Sequence, residues 1–90
     1  MGIYTFIVEF KGGTYISQYR ATDLIIAFNM WADYFSKEPY VSKMQSKQLL
    51  EDVKDDNFFP SEISEVVNVW SWTSVLWGKF IILNIVKTAE

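Results

Sequence analysis

Ninety residues, 50% hydrophobic and 18% aromatic, are enough apolar material for one packed domain spanning 1–90 and argue against a disordered chain. There is no cysteine and no histidine, which excludes disulfides, thiolate nucleophiles, a serine–histidine dyad and the commonest zinc ligands. The net charge is −3 without a basic stripe, which argues against nucleic acid; with no basic-then-apolar leader and no bilayer-length apolar run, the expectation is a cytoplasmic protein that does not enter a membrane.

The chain opens with "IYTFIVEFKGGTYISQYRA". β-Branched and aromatic residues flank Gly12-Gly13, and two glycines permit the positive φ angles of a tight hairpin turn. With those two as the loop, Phe10 faces Tyr15, Val8 faces Ser17 and Phe6 faces Tyr19. These six share one aromatic side. Thr5, Ile7, Glu9, Ile16, Gln18 and Arg20 form a mixed side.

"TDLIIAFNMWADYFSK" predicts a helix capped by Thr22. Leu24, Phe28, Trp31 and Phe35 recur at helical spacing and mark its core-facing stripe. Ile26 and Met30 fall on a second face, which suggests contact with another helix or another chain. Pro39 ends the helix, because the residue before a proline avoids helical geometry. A second helix follows in "SKMQSKQLLEDVKDD", where Ser42 and Gln45 have capping-box spacing and Leu49, Leu50 and Val53 give a narrow stripe. "NFFPSEIS" reads as a loop anchored by Phe58 and Phe59.

"EVVNVWSWTSV" and "KFIILNIVKTA" form a second hairpin around Trp77-Gly78. This register pairs Trp72 with Leu83 and Trp70 with Ile85, and it places Ser71 opposite Asn84. Trp70, Trp72, Ile81, Leu83 and Ile85 then share one face. Val69, Ser71, Thr73, Val75, Phe80, Ile82, Asn84 and Val86 share the other. A slip of one residue would reverse every side chain. The expected fold is therefore α+β in ββααββ order, a four-stranded antiparallel sheet of two hairpins with two helices packed on one face.

Trp70 and Trp72 point the same way, as a stacking platform requires, but Leu83 and Ile85 share their face and a helix needs a dock. They are assigned to the core. Trp77, at a turn, is the tryptophan expected at a contact. Val75, Phe80 and Ile82, with Ile26 and Met30, complete the candidate interaction residues. A two-layer domain leaves the second sheet face in water unless the second helix, the "NFF" loop, a second copy or a partner covers it.

Glu51, Asp52, Asp55 and Asp56 form an acidic patch. It lacks the alternating acids and glycine of a calcium loop and reads as a solvated charge run, open to a basic partner. Glu9 suits a surface ion pair, and "KGG" is turn chemistry, not a phosphate loop. No catalytic motif is present, and neither metal nor cofactor is expected. The expected function is a non-enzymatic interaction or regulatory module that self-associates or binds a protein. The alternative is a small-ligand or carbohydrate binder using exposed aromatic side chains, the tryptophans with Tyr15 or Tyr19.

Overall fold

A computed structural model describes residues 1–88. The elements are β1 (Gly2–Phe10), β2 (Gly13–Ala21), α1 (Leu24–Phe35), α2 (Lys43–Val53), β3 (Ser61–Glu62), β4 (Val69–Leu76) and β5 (Lys79–Thr88), with a 3-10 turn at Asp56–Phe58 before β3. The strands form one antiparallel sheet in the order β2-β1-β5-β4-β3. The order joins the two hairpins through β1 and β5, whose pairing sets Phe6 opposite Ile85 and Val8 opposite Leu83.

The sheet has five strands, not four. The extra one is β3, where Ser61 pairs with Ser71 and Glu62 with Trp70. Two residues carry no alternation that a sequence pattern can reveal, and Pro60 disguises them as loop.

The first hairpin also differs in register. Its loop is Lys11-Gly12, with φ of 51° and 80°, and Phe10 pairs with Gly13 and Val8 with Tyr15. Both angles are left-handed, as a two-residue turn matching the strand twist requires. Moving the loop by one residue shifts each partner by two, so the faces stay as expected. The second hairpin has the expected register throughout, from Leu76–Lys79 to Ser71–Asn84 and Trp70–Ile85.

Asp23, not Thr22, caps α1: its carboxylate accepts from the Ile26 backbone N–H at 3.0 Å. Asp and Thr both suit the position, so the one-residue difference lies within what composition alone resolves. At α2 the capping box forms as spaced, Ser42 and Gln45 each accepting from the other's backbone N–H. Each such cap is worth about 1 kcal/mol.

The core sits between the helices and the inner face of the sheet. Trp31 is its centre, with ring centroids 5.7 Å from Phe6, 6.0 Å from Phe28 and 5.3 Å from Phe35. Trp72 meets Phe28 and Trp31 edge to face and donates from its indole N–H to the Phe58 carbonyl at 2.7 Å. The inner side chains of α2 also reach this layer: Gln45 donates to the Leu76 carbonyl, and the Ser74 hydroxyl donates to Asp52 at 2.7 Å. Both helices and the Phe58 loop therefore lie on one side, and no described helix packs on the other.

Candidate functional site: an open sheet face and a tyrosine cleft

Strand alternation sorts the candidate residues. Even positions of β1 and, in β5, Ile81, Leu83 and Ile85 point inward and are buried. Odd positions of β4 and even positions of β5 point outward, so Val75, Phe80 and Ile82 lie together on the open face at 48%, 72% and 40% exposure. Ile16 continues the patch across β2, and Ile7 and Val86 fill it between. Ser71 and Asn84 lie opposite one another inside this row. Burial of exposed apolar area is worth about 25 cal/mol per Å², so an uncovered face of this kind is a reservoir of binding energy.

Trp77 sits at the rim of that face, 61% exposed, in the first loop position of the β4–β5 turn. Its φ is 50° and that of Gly78 is 79°. Glycine suits such an angle. For a tryptophan the left-handed conformation costs about 1–2 kcal/mol, and the indole gains little packing in return. Trp70 and Trp72, by contrast, are half-buried and buried on the inner side. A three-tryptophan platform does not exist.

Ile26 and Met30 belong to a different surface. Ile26 is exposed on α1, while Met30 packs against the core and shares a shallow α1–α2 groove with Ile25 and Leu50. They lie in the helix layer, away from Val75, Phe80 and Ile82. The second apolar face of α1 is thus partly satisfied by α2.

The acidic patch divides as well. Asp52 is held by Ser74 and by Gln48, and Asp55 caps the 3-10 turn through the Asn57 N–H. Glu51 and Asp56 are exposed. Among the described residues, no group of three or more acidic side chains is placed to hold a metal ion.

A second feature has only a partial sequence signal. A cleft of about 370 Å³ lies along β2, between Tyr15 and Tyr19 from the strand and Tyr34, Glu38 and Tyr40 from α1 and the segment after it. Tyr15 stacks on Tyr40 at 4.3 Å and Tyr19 on Tyr34 at 5.8 Å. Ser17, small and between them on the same face, leaves the gap. The Lys11 ammonium donates to the Tyr40 carbonyl at 2.8 Å and ties this segment to the first hairpin turn. Burial, then the nearby Glu38 carboxylate, pushes the Tyr40 phenol up to about 12. The Trp31 indole N–H, buried at the cleft floor's margin, has no acceptor. Tyr15 and Tyr19 were legible as aromatic strand residues; Tyr34, Glu38 and Tyr40 join them only through the return of the chain after Pro39.

Comparison with protein-family models, with curated proteins and with solved structures finds no match. No described helix is long and apolar enough to cross a membrane.

Proposed function

We propose that this chain is a non-enzymatic protein-interaction module that self-associates by stacking the open face of its sheet on that of a second copy. The observation that carries the reading is the one-sided placement of the helices, which leaves Ile16, Val75, Phe80 and Ile82 in water on a single face. Four strands about 4.8 Å apart and about 26 Å long give a footprint of roughly 500 Å², and side-chain relief brings this toward the roughly 800 Å² per partner of a standard interface.

Charge and shape favour a second copy as the occupant. Among the described residues, Glu9 and Arg20 are the ionisable ones of this face and lie near opposite ends of it. Turning one sheet end for end on the other brings opposite charges to the same end. The same rotation carries the exposed Trp77 turn over the exposed Val66-Val67 segment before β4. Sheets stacked in this way pack about 10 Å apart. Lack of histidine and cysteine supports a role without chemistry.

Sedimentation velocity of the wild type, Phe80→Lys, Ile82→Lys and the helix-layer control Ile26→Lys tests the reading. Assembly that is reduced in the two sheet variants and keeps the wild-type size in the control supports it. A single-copy wild type at all concentrations, or equal loss in all three variants, contradicts it.

The tyrosine cleft favours a second reading, a small planar or sugar ligand held between aromatic rings. Its tyrosines are Tyr15, Tyr19, Tyr34 and Tyr40, and the buried Trp31 and Phe35 also line it. A sugar or planar ligand that perturbs Tyr34 and Tyr40 resonances in a saturable way supports this; no perturbation across a panel of such ligands contradicts it.

A further inference from the structure

The two edges of the sheet are built differently. At one end stands β3, two residues long and preceded by Pro60. Short edge strands and prolines are the usual protection against pairing with another chain. At the other end stands β2, nine residues long, without proline and without an acidic side chain. The cleft described above opens along this edge, lined by Thr14, Tyr15, Ile16 and Ser17 in succession, so the strand is open to solvent there.

The ladder fixes which backbone groups face out. Phe10 and Gly13 close the two-residue loop and form a hydrogen-bonded pair. By alternation, Tyr15, Ser17 and Tyr19 bond inward to β1, whereas the N–H and C=O groups of Thr14, Ile16 and Gln18 point away from it. Unpaired groups of alternating donor and acceptor call for another extended strand.

We infer that β2 pairs antiparallel with β2 of a second copy, about a two-fold axis through Ser17. The strand is self-complementary in that register. Ile16 and Gln18 exchange backbone hydrogen bonds with Gln18 and Ile16 of the second copy. Tyr15 falls opposite Tyr19, and Arg20 falls opposite Thr14, so no like charges meet. Ser17 meets its own counterpart as a non-hydrogen-bonded pair, where Cα atoms approach to about 4.5 Å. Being small, it lets the two tyrosine clefts join across the axis, and Tyr34 at the rim becomes covered. The contact is separate from the open face and compatible with it: this axis is normal to the sheet and the stacking axis lies in its plane, a combination that closes at four copies.

Ser17→Cys provides the test in a chain that has no cysteine. The Cα separation at the axis lies inside the disulfide range of about 4.4–6.8 Å. A cysteine at Thr14 would lie roughly 20 Å from its counterpart in this register. Mild oxidation is expected to link the Ser17→Cys protein at least about tenfold faster than Thr14→Cys, with circular dichroism unchanged. Gln18→Pro is the second variant: it removes an outward N–H, which an edge strand tolerates, and is expected to weaken self-association at least about tenfold in light scattering. Phe80→Lys leaves the Ser17→Cys crosslink intact, which separates this contact from the stacked face. Equal crosslinking at positions 17 and 14, or a mass unaffected by Gln18→Pro, overturns the inference.

Discussion

The indole N–H of Trp72 donates to the backbone carbonyl of Phe58 at 2.7 Å, and the two rings lie 5.3 Å apart. This contact fastens the segment after α2 to the inner face of β4 and so helps leave the outer face bare. Trp72→Ala is expected to cost about 3–5 kcal/mol in urea unfolding, a large part of the stability of a domain this small. Trp72→Phe keeps most of the packing but leaves the Phe58 carbonyl without its donor, and is expected to cost about 1–3 kcal/mol. A loss below about 1 kcal/mol for the alanine variant would mean that Trp72 is not core.

Trp77 should behave in the opposite way. Asparagine tolerates the left-handed conformation that tryptophan adopts here at φ 50°. Trp77→Asn creates an Asn-Gly turn, the pair most suited to this hairpin. Stabilisation by about 1 kcal/mol is expected, read as a raised urea midpoint at unchanged slope, together with weaker self-association. Destabilisation would show that the indole contributes to the fold.

Much of this arrangement is legible in the residues themselves. The register of the second hairpin follows from Trp70, Trp72, Leu83 and Ile85 falling on one face, because any slip would expose all four. The α1 stripe and the Ser42–Gln45 box follow from spacing. The first hairpin shows the limit: Lys11-Gly12 and Gly12-Gly13 place the same side chains on the same faces, so patterning does not choose between them. β3 is too short for any pattern. The cleft needs Tyr40 to return onto Tyr15, a long-range contact that no local spacing encodes.

Ser74 and Asp52 join α2 to β4 by a 2.7 Å hydrogen bond. A bond to a charged group is worth about 1.5–3 kcal/mol, and partial exposure lowers this here, so Ser74→Ala is expected to cost about 1 kcal/mol. Asp56→Asn, on an exposed side chain of the same acidic segment, is expected to stay within about 0.5 kcal/mol. Chemical denaturation of both variants checks the contrast. Equal effects would mean that Asp52 is only part of a solvated charge run.

Tyr40 gives the fold a dependence on high pH. Its folded-state phenol is raised to about 12, first by burial and then by Glu38, against 10.0 for the free side chain. The neutral form is therefore favoured by folding. The contribution is fully present below about pH 10 and is lost as pH rises toward 12. Burial also raises the Tyr4 phenol, so absorbance titration of the phenolates is expected to show a late component that loses one phenolate's amplitude in Tyr40→Phe and shifts in part to lower pH in Glu38→Gln. A late component of unchanged amplitude in Tyr40→Phe would contradict the assignment.

The open face is tested most directly at Trp77. Trp31 and Trp72 are buried and Trp70 is half-buried, whereas Trp77 is 61% exposed, so acrylamide quenching of the tryptophan emission reports chiefly on this residue. The difference between wild type and Trp77→Phe isolates its signal. As protein concentration rises from nanomolar to high micromolar, the Trp77 component is expected to become less quenchable and to shift to the blue. In Phe80→Lys it stays exposed throughout. A Trp77 that remains equally quenchable over the whole range in the wild type contradicts self-association through this face.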